Sequence, residues 1–363
     1  MLFSVRGLSA ALGVLGILAM AACTPTTILP GKGPRQQGAG TGTDGKMKVG
    51  LLVPLSGKYR ATGQMLLEGA QLALSSPAAS GIELLPRNCC ATPDQAREEA
   101  SRLVSDGARV IAGPLLSSSV PAVAGATSRN GIPVLAFSND PAVAGGNVHI
   151  MGFSLDDQVV RMLSFARQRG YTRTIALVPD SPYGQMIAHS LADQPGIRTE
   201  RFPADSPGIQ ALTKRLASER QSFDSVLMAA SGDTLRQLAS FLTYYGVDTR
   251  KVRFMGNSQW DNPSLWQEGA LRGAWFTAPH PNGWKAFAEQ FRSTFGKTPL
   301  RLASLSHDAV LVAAEAGDLE KAEGFRGVDG TVRFLPDGRT RRDWSILEIR
   351  PEGPAVIDSG ESR

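Results

Sequence analysis

From Lys46 onward, short apolar runs alternate with stretches whose apolar residues recur every three or four positions. Met47 to Val53 is nearly all apolar, the pattern of a strand covered on both faces. A helix over 60–75 follows, with Leu66, Ala70, Ala73 and Leu74 on one face. Residues 82–85 read as the next strand. Thr92-Pro93-Asp94-Gln95 carries a capping box with proline at the first helical position. Its helix places Ala96, Ala100, Leu103 and Val104 on one stripe. A strand over 109–112, a helix over 120–129 and a strand over 133–137 complete a first unit.

The alternation then repeats. Strands are predicted over 173–178, 197–202, 224–228, 252–256 and 273–277, and helices over 156–169, 183–192, 208–219 and 233–245. Two further helices, over 283–295 and 301–317, follow the second sheet and could return to cover the first. The tail segments 330–334 and 344–349 alternate as a two-stranded hairpin would. The implied fold class is α/β, with two doubly wound parallel-sheet lobes.

The first 45 residues are different. Arg6 precedes an apolar run from Leu8 to Ala22, too short for a comfortable membrane span, which ends in Met20-Ala21-Ala22-Cys23. Residues 1–22 resemble a bacterial lipoprotein signal peptide, with Cys23 as the lipidated residue; Met20 stands where leucine is usual. An ordinary secretory signal is the alternative. Either signal exports the chain. Thr24 follows the cysteine where aspartate would hold a lipoprotein in the inner membrane, so the expected address is the periplasm, at the outer membrane. Residues 23–45, rich in Gly, Pro and Thr, read as a flexible linker of about 25 Å average span. Gly40 to Gly45 fits G-x-G-x-x-G, and Gly40 to Lys46 fits most of a P-loop. Both motifs need a strand before them and a helix after; a linker precedes and a strand follows, so both are rejected.

Composition narrows the function classes. The 363 residues are 42% hydrophobic and 20% charged with a net charge of +5, as in a soluble globular protein. The densest basic run, Arg339-Thr340-Arg341-Arg342, follows Pro336-Asp337-Gly338 and reads as a solvated turn. No basic face with interleaved aromatics is present, which argues against nucleic acid. With Cys23 lipidated, Cys89 and Cys90 remain. Adjacent cysteines close a strained ring, so two free thiols are the favoured expectation and a bond between them the alternative. The four histidines are dispersed, no G-x-S-x-G elbow occurs, and Ser306-His307-Asp308 is too local for a triad, so a non-enzymatic protein without cofactor or metal is expected.

Several ordered stretches carry a family likeness: Val53-Pro-Leu-Ser-Gly57, Ala112-Gly-Pro-Leu-Leu-Ser-Ser-Ser119, Gly131-Ile-Pro-Val-Leu-Ala-Phe-Ser138, Pro179-Asp-Ser-Pro-Tyr-Gly184, Phe254-Met-Gly256, Ser306-His-Asp-Ala-Val310 and Gly330-Thr-Val-Arg-Phe334. Over nearly all of 46–350 the chain resembles type I periplasmic solute-binding proteins of the leucine/isoleucine/valine-binding family. The resemblance implies one lobe of 46–154 plus 278–327 and another of 155–277 plus 328–363. Three hinge strands would cross near 154, 278 and 328, and the cleft would close on a small ligand. Ligands of open α/β sheets sit beyond the carboxyl ends of the strands. On that rule the candidates are Ser56 and Tyr59 after the first strand, and Leu115, Ser117 and Ser118 after the third. Ser138, Asn139 and Asp140 follow the fourth. The second lobe offers Tyr183, Asp233, Ser258, Gln259 and Trp260. Ser118 and Ser231 also suit local helix capping.

Two departures bear on the ligand. The resemblance implies a hydroxyl near Asp140 for a substrate carboxylate, and an acid just after Met255-Gly256 for a substrate ammonium. Asp140 would repel the first, and Ser258 stands at the second with Asp261 nearby. Phe137-Ser-Asn-Asp140 and Ser258-Gln-Trp-Asp261 look closer to a lipoprotein branch resembling penicillin-binding protein activators. Two expectations therefore stand: a lipid-anchored receptor delivering a small polar solute, an amino acid or similar, to an ABC permease; or an activator that touches a peptidoglycan synthase. Either would meet the membrane through its lipid anchor only.

Overall fold

The computed structural model describes residues 45–315, 317 and 319–360. The leader, Cys23 and the linker up to Asp44 lie outside the described residues. The first lobe opens with β1 (Met47–Val53), α1 (Arg60–Ala73), β2 (Ile82–Asn88), α2 (Pro93–Ser105), β3 (Val110–Ala112), α3 (Val120–Thr127), β4 (Val134–Ala136) and β5 (Val148–Ile150). Its sheet is parallel in the order β2-β1-β3-β4-β5. The capping box at α2 forms: Thr92 Oγ1 accepts from the Gln95 amide at 3.2 Å. The Gln95 side chain reaches back past Thr92 and accepts from the Ala91 amide at 2.9 Å.

The second lobe contains α4 (Leu155–Gln168), β6 (Thr174–Pro179), α5 (Pro182–Leu191), β7 (Ile197–Phe202), α6 (Ser206–Ser218), β8 (Ser225–Met228), α7 (Gly232–Tyr244), β9 (Arg253–Gly256), α8 (Pro263–Trp266) and β10 (Trp275–Ala278). The chain then returns as α9 (Pro281–Phe295) and α10 (Ala303–Ala314). As expected, α10 covers the first sheet: Leu305, Ala309 and Val310 share a core with Val49, Leu51 and Leu66, while Phe287 and Phe291 of α9 pack with Leu72 and Ala303. The approach is close because α1 presents Gly69, where a Cβ would collide with the Ala303 carbonyl.

The tail differs from expectation. β11 (Phe325–Gly327), β12 (Gly330–Phe334) and β13 (Thr340–Arg342) form their own antiparallel ribbon. β14 (Ser345–Arg350) pairs instead with β10 and with β15 (Gly353–Asp358), so 330–334 and 344–349 are not a hairpin. The second sheet runs β15-β14-β10-β9-β8-β6-β7. Residues 328–342, expected in the second lobe, pack with the first: Val332 and Phe334 lie in its core, and the Ile150 amide donates to the Gly338 carbonyl at 2.8 Å. The third crossing is therefore at Asp343–Trp344 rather than 328. Alternation between apolar and polar residues cannot choose among antiparallel partners, since each choice buries the same face.

The crossings lie side by side. Arg342 donates to the Met151 carbonyl at 3.0 Å, Phe153 meets Trp344 edge to face, and Ala278 pairs with Ser345. Arg342, expected in a solvated turn, is buried, whereas Arg339 and Arg341 are exposed. Strand alternation over 340–342 turns the third arginine inward.

Cys89 and Cys90 are joined in a disulfide, contrary to the free thiols expected. Cys90 adopts a positive φ of 81°, which brings the two side chains to the same side of the chain. Both cysteines are buried just beyond β2, where the Cys89 amide donates to the Val53 carbonyl at 3.1 Å.

Candidate functional site

In each lobe the candidate residues sit in loops at the carboxyl ends of the strands or in the turns that follow them. The turn after β3 depends on Gly113, whose φ of 101° and contact with the Leu52 carbonyl exclude a side chain. Beyond it Leu115 and Ser117 are half-buried and Ser118 is exposed, in a short 3-10 turn leading into α3. Ser56 is exposed and exchanges hydrogen bonds with Asn88. Tyr59 is partly exposed, with the Lys58 ammonium 4.7 Å from its ring centre. Ser138 is buried and its hydroxyl accepts from the Asp140 amide at 3.0 Å. Asp140 in turn caps a short turn, accepting from the Ala142 amide at 3.0 Å. Asn139 beside it is exposed.

In the second lobe the strand-end groups hold one another. The buried Gln158 on α4 accepts from the Ser258 amide at 2.9 Å and donates to the Ser154 carbonyl at 3.0 Å. The buried Asn257 donates to the Tyr183 hydroxyl at 2.6 Å and accepts from the Gln259 amide at 3.1 Å. Burial holds the Tyr183 phenol above its ordinary range, so it stays protonated and keeps a proton to donate. Gln259 is exposed.

Trp260 corrects the sequence reading. Its ring was expected to face the cleft; it is fully buried, and its Nε1 donates to the Ala230 carbonyl at 3.0 Å. Gly256 leaves the space that the ring fills. Asp233 stands apart on α7, exposed and paired with Arg236 at 2.7 Å. Ser231 precedes α7 without a side-chain cap, and the residue before α3 is Ser119 rather than Ser118, also without one.

A cavity of about 350 Å³ lies beside these loops, between the lobes. Its first-lobe wall is Asn139, Asp140 and Pro141, with Ile150 and Gly152 beneath. Its second-lobe wall is the first turn of α4, including Asp156 and Asp157, with Gln185, Met186 and His189 on α5. Leu335, Arg339, Thr340 and Arg341 of the ribbon close it. Of the thirteen expected ligand residues only Asn139 and Asp140 border this cavity.

The cavity carries both signs of charge. Asp156 accepts from the Ser190 hydroxyl, and Arg339 is paired with Asp337 at 2.7 Å. Burial raises the Asp157 carboxyl above the usual range, partly offset by the Arg341 guanidinium. Sequence reading missed this wall because its residues belong to a helix start, a helix face and a ribbon rather than to strand ends. The basic run at 339–342 was visible, but nothing local tied it to α4.

A second charged group bridges the lobes at the β9 loop. Arg301, just before α10, donates to Asp261 at 2.9 Å and lies 2.7 Å from an oxygen of the fully buried Asp329. That second contact is close but not aligned as a hydrogen bond. Asp329 also accepts from the Ser304 hydroxyl. Burial pushes both Asp261 and Asp329 upward against the pull of Arg301. His307 packs against Phe287 and contacts Asp308, while the Ser306 hydroxyl donates to the Ala303 carbonyl, so the trio forms no relay. Among the described residues no cluster of three His, Cys, Asp or Glu side chains is placed to hold a metal ion.

Comparisons with known proteins agree on the architecture. A putative branched-chain amino acid ABC transporter protein from Rhodospirillum rubrum superposes with a TM-score of 0.75 at 19% identity, covering 86% of this chain and 100% of that one. The C-domain of LpoA from Haemophilus influenzae, a regulator of PBP1A, superposes with a TM-score of 0.67 at 17% identity, covering 85% and 99%. The isoleucine complex of LivJ from Streptococcus pneumoniae gives 0.62 at 20% identity, covering 86% and 99%. No curated protein sequence matches the chain. The periplasmic binding protein family model matches residues 46–354, and with two lobes, three crossings and an interlobe cavity in place, the chain belongs to that family.

Proposed function

We propose that this protein binds one small polar solute between its lobes, tethered to a membrane in the periplasm through lipid on Cys23, and serves ABC-type uptake. The observation that carries this reading is the interlobe cavity of about 350 Å³, whose walls come from both lobes and the ribbon. That volume lies in the range of sites for small ligands, and a few polar groups on a partly apolar wall suit recognition of a polar solute. Closure of two lobes about a solute couples binding to shape. The test is calorimetry against panels of amino acids and small carboxylic acids, with the native chain beside Met186→Trp. One-to-one heat with at least one solute, lost in the variant that fills the cavity, is the expected result. A panel silent with the native chain counts against it.

A second reading is supported by the Arg301–Asp261 pair and by the mutually bonded strand-end groups. The acid nearest the expected ammonium subsite already holds a cation from the other lobe. The groups at Ser258, Asn257 and Tyr183 likewise have partners of their own. Such a body suits docking more than capture, as in a lipoprotein that regulates a peptidoglycan synthase by contact. The expected outcome is a raised glycan-polymerising or crosslinking rate on adding the chain to the synthase; an unchanged rate at saturation removes this reading.

A further inference from the structure

We propose that Arg301 is a latch that fastens the second lobe to the first through Asp261 and holds the lobes in one arrangement whether or not the cavity is occupied. Arg301 belongs to the first lobe, in the turn between α9 and α10. Its guanidinium is fixed there from two sides. Asp329 lies 2.7 Å from one terminal nitrogen, and the Trp284 ring centre lies 4.7 Å from the central carbon. Asp329 is itself fully buried and bound by Ser304, so the cation cannot swing away without stranding a buried carboxylate.

The other half of the latch is equally anchored. Asp261 follows Trp260, whose ring is sealed in the second lobe's core and bonded to Ala230. The next indole, Trp266, donates to the Trp260 carbonyl at 3.0 Å and fixes the turn. The 2.9 Å bond from Arg301 to Asp261 thus joins two rigid supports, one in each lobe. Both side chains are only about one-fifth exposed, at 21% each, so water and salt weaken the pair less than they would on the surface. Separating the lobes by a few ångströms must break it. The proposal concerns how the lobes are held: under the first reading a solute enters with the bridge in place or breaks it, and under the second the lobes need not move.

Pulsed electron resonance between spin labels at Arg129→Cys and Asp193→Cys, exposed sites on opposite lobes, tests the latch on the full chain. With no solute added, the native background is expected to give one narrow distance. Asp261→Asn removes the charge on the second lobe alone and leaves Arg301 on Asp329, so the fold survives; its distance distribution is expected to broaden or shift. Asp261→Glu, which keeps the charge, is expected to stay closer to the native distribution than Asp261→Asn. Arg301→Gln should open the lobes likewise, with a lower Tm because Asp329 loses its cation. A broad distribution in the native background, or one in Asp261→Asn that matches the native, overturns the proposal.

Discussion

At the scale of the residue, the partly buried Asp157 carboxyl at the cavity wall matters most. Asp157 is raised by burial first, with Arg341 and Arg339 pulling it down and Asp156 pushing it further up. A raised folded pKa means that the folded chain holds the proton more tightly than the unfolded one. That contribution to stability is present at low pH and is lost as pH rises from about 4 through the raised value. Asp157→Asn keeps the shape and removes the charge. Its Tm is therefore expected to exceed the native Tm at pH 7, and the gap to close as pH falls to about 4. Thermal melts across that range check this; a gap that widens toward acid would show that the charged form is favoured in the fold. Asp248 has the opposite sign: Arg250 holds it down at about 2, so its contribution is present at neutral pH and is lost as acid approaches that value. Its side chain is about one-third exposed, at 31%, and solvent screening keeps its weight small.

At the scale of the element, most boundaries follow from local chemistry. Thr92, Ser154, Ser181 and Asp205 all cap helices with their own side chains. Thr92→Ala is expected to cost about 1 kcal/mol, or roughly 1–2 °C of Tm in a chain of this size. Because α2 lies on the outer side of the first lobe's sheet, away from the cavity walls, the variant should bind whatever the native chain binds with unchanged affinity. A loss of binding would show that α2 positions the site. Three elements illustrate what local chemistry leaves open. The three-residue strands β5, β11 and β13 are too short to show a period, and only pairing with a neighbour makes them strands.

At the scale of the whole molecule, two features pull in different directions. The cavity supports capture of a solute, and the Arg301 bridge opposes the opening that capture requires. In two-lobed binding proteins the free energy of closure comes from differential contacts with the ligand. Here part of that free energy is supplied by the chain itself, through Arg301 and Asp261. A solute that enters the cavity must do so with the latch closed or must break it. Binding with slow on-rates that quicken in Asp261→Asn would show that the latch gates entry.

The amino-acid pattern alone determined the α/β class and the two doubly wound units. Each of these needs only periodicity and capping residues, which act within a few positions along the chain. Of the candidate site only Asn139 and Asp140 were legible, because the loop after β4 is a strand end that also borders the cavity. Tertiary structure decided the rest. Trp260 is core rather than cleft because Gly256 and Ala230, distant or small in sequence terms, leave its ring a bed and a partner. The ribbon joined the first lobe because Val332 and Phe334 found apolar neighbours there. Asp261, Arg301 and Asp329 lie up to 68 positions apart in the chain, counting from 261 to 329, and no local pattern links them. Charges that pair across lobes are set by how the sheets are placed in space, and that placement is a property of packing rather than of any one segment.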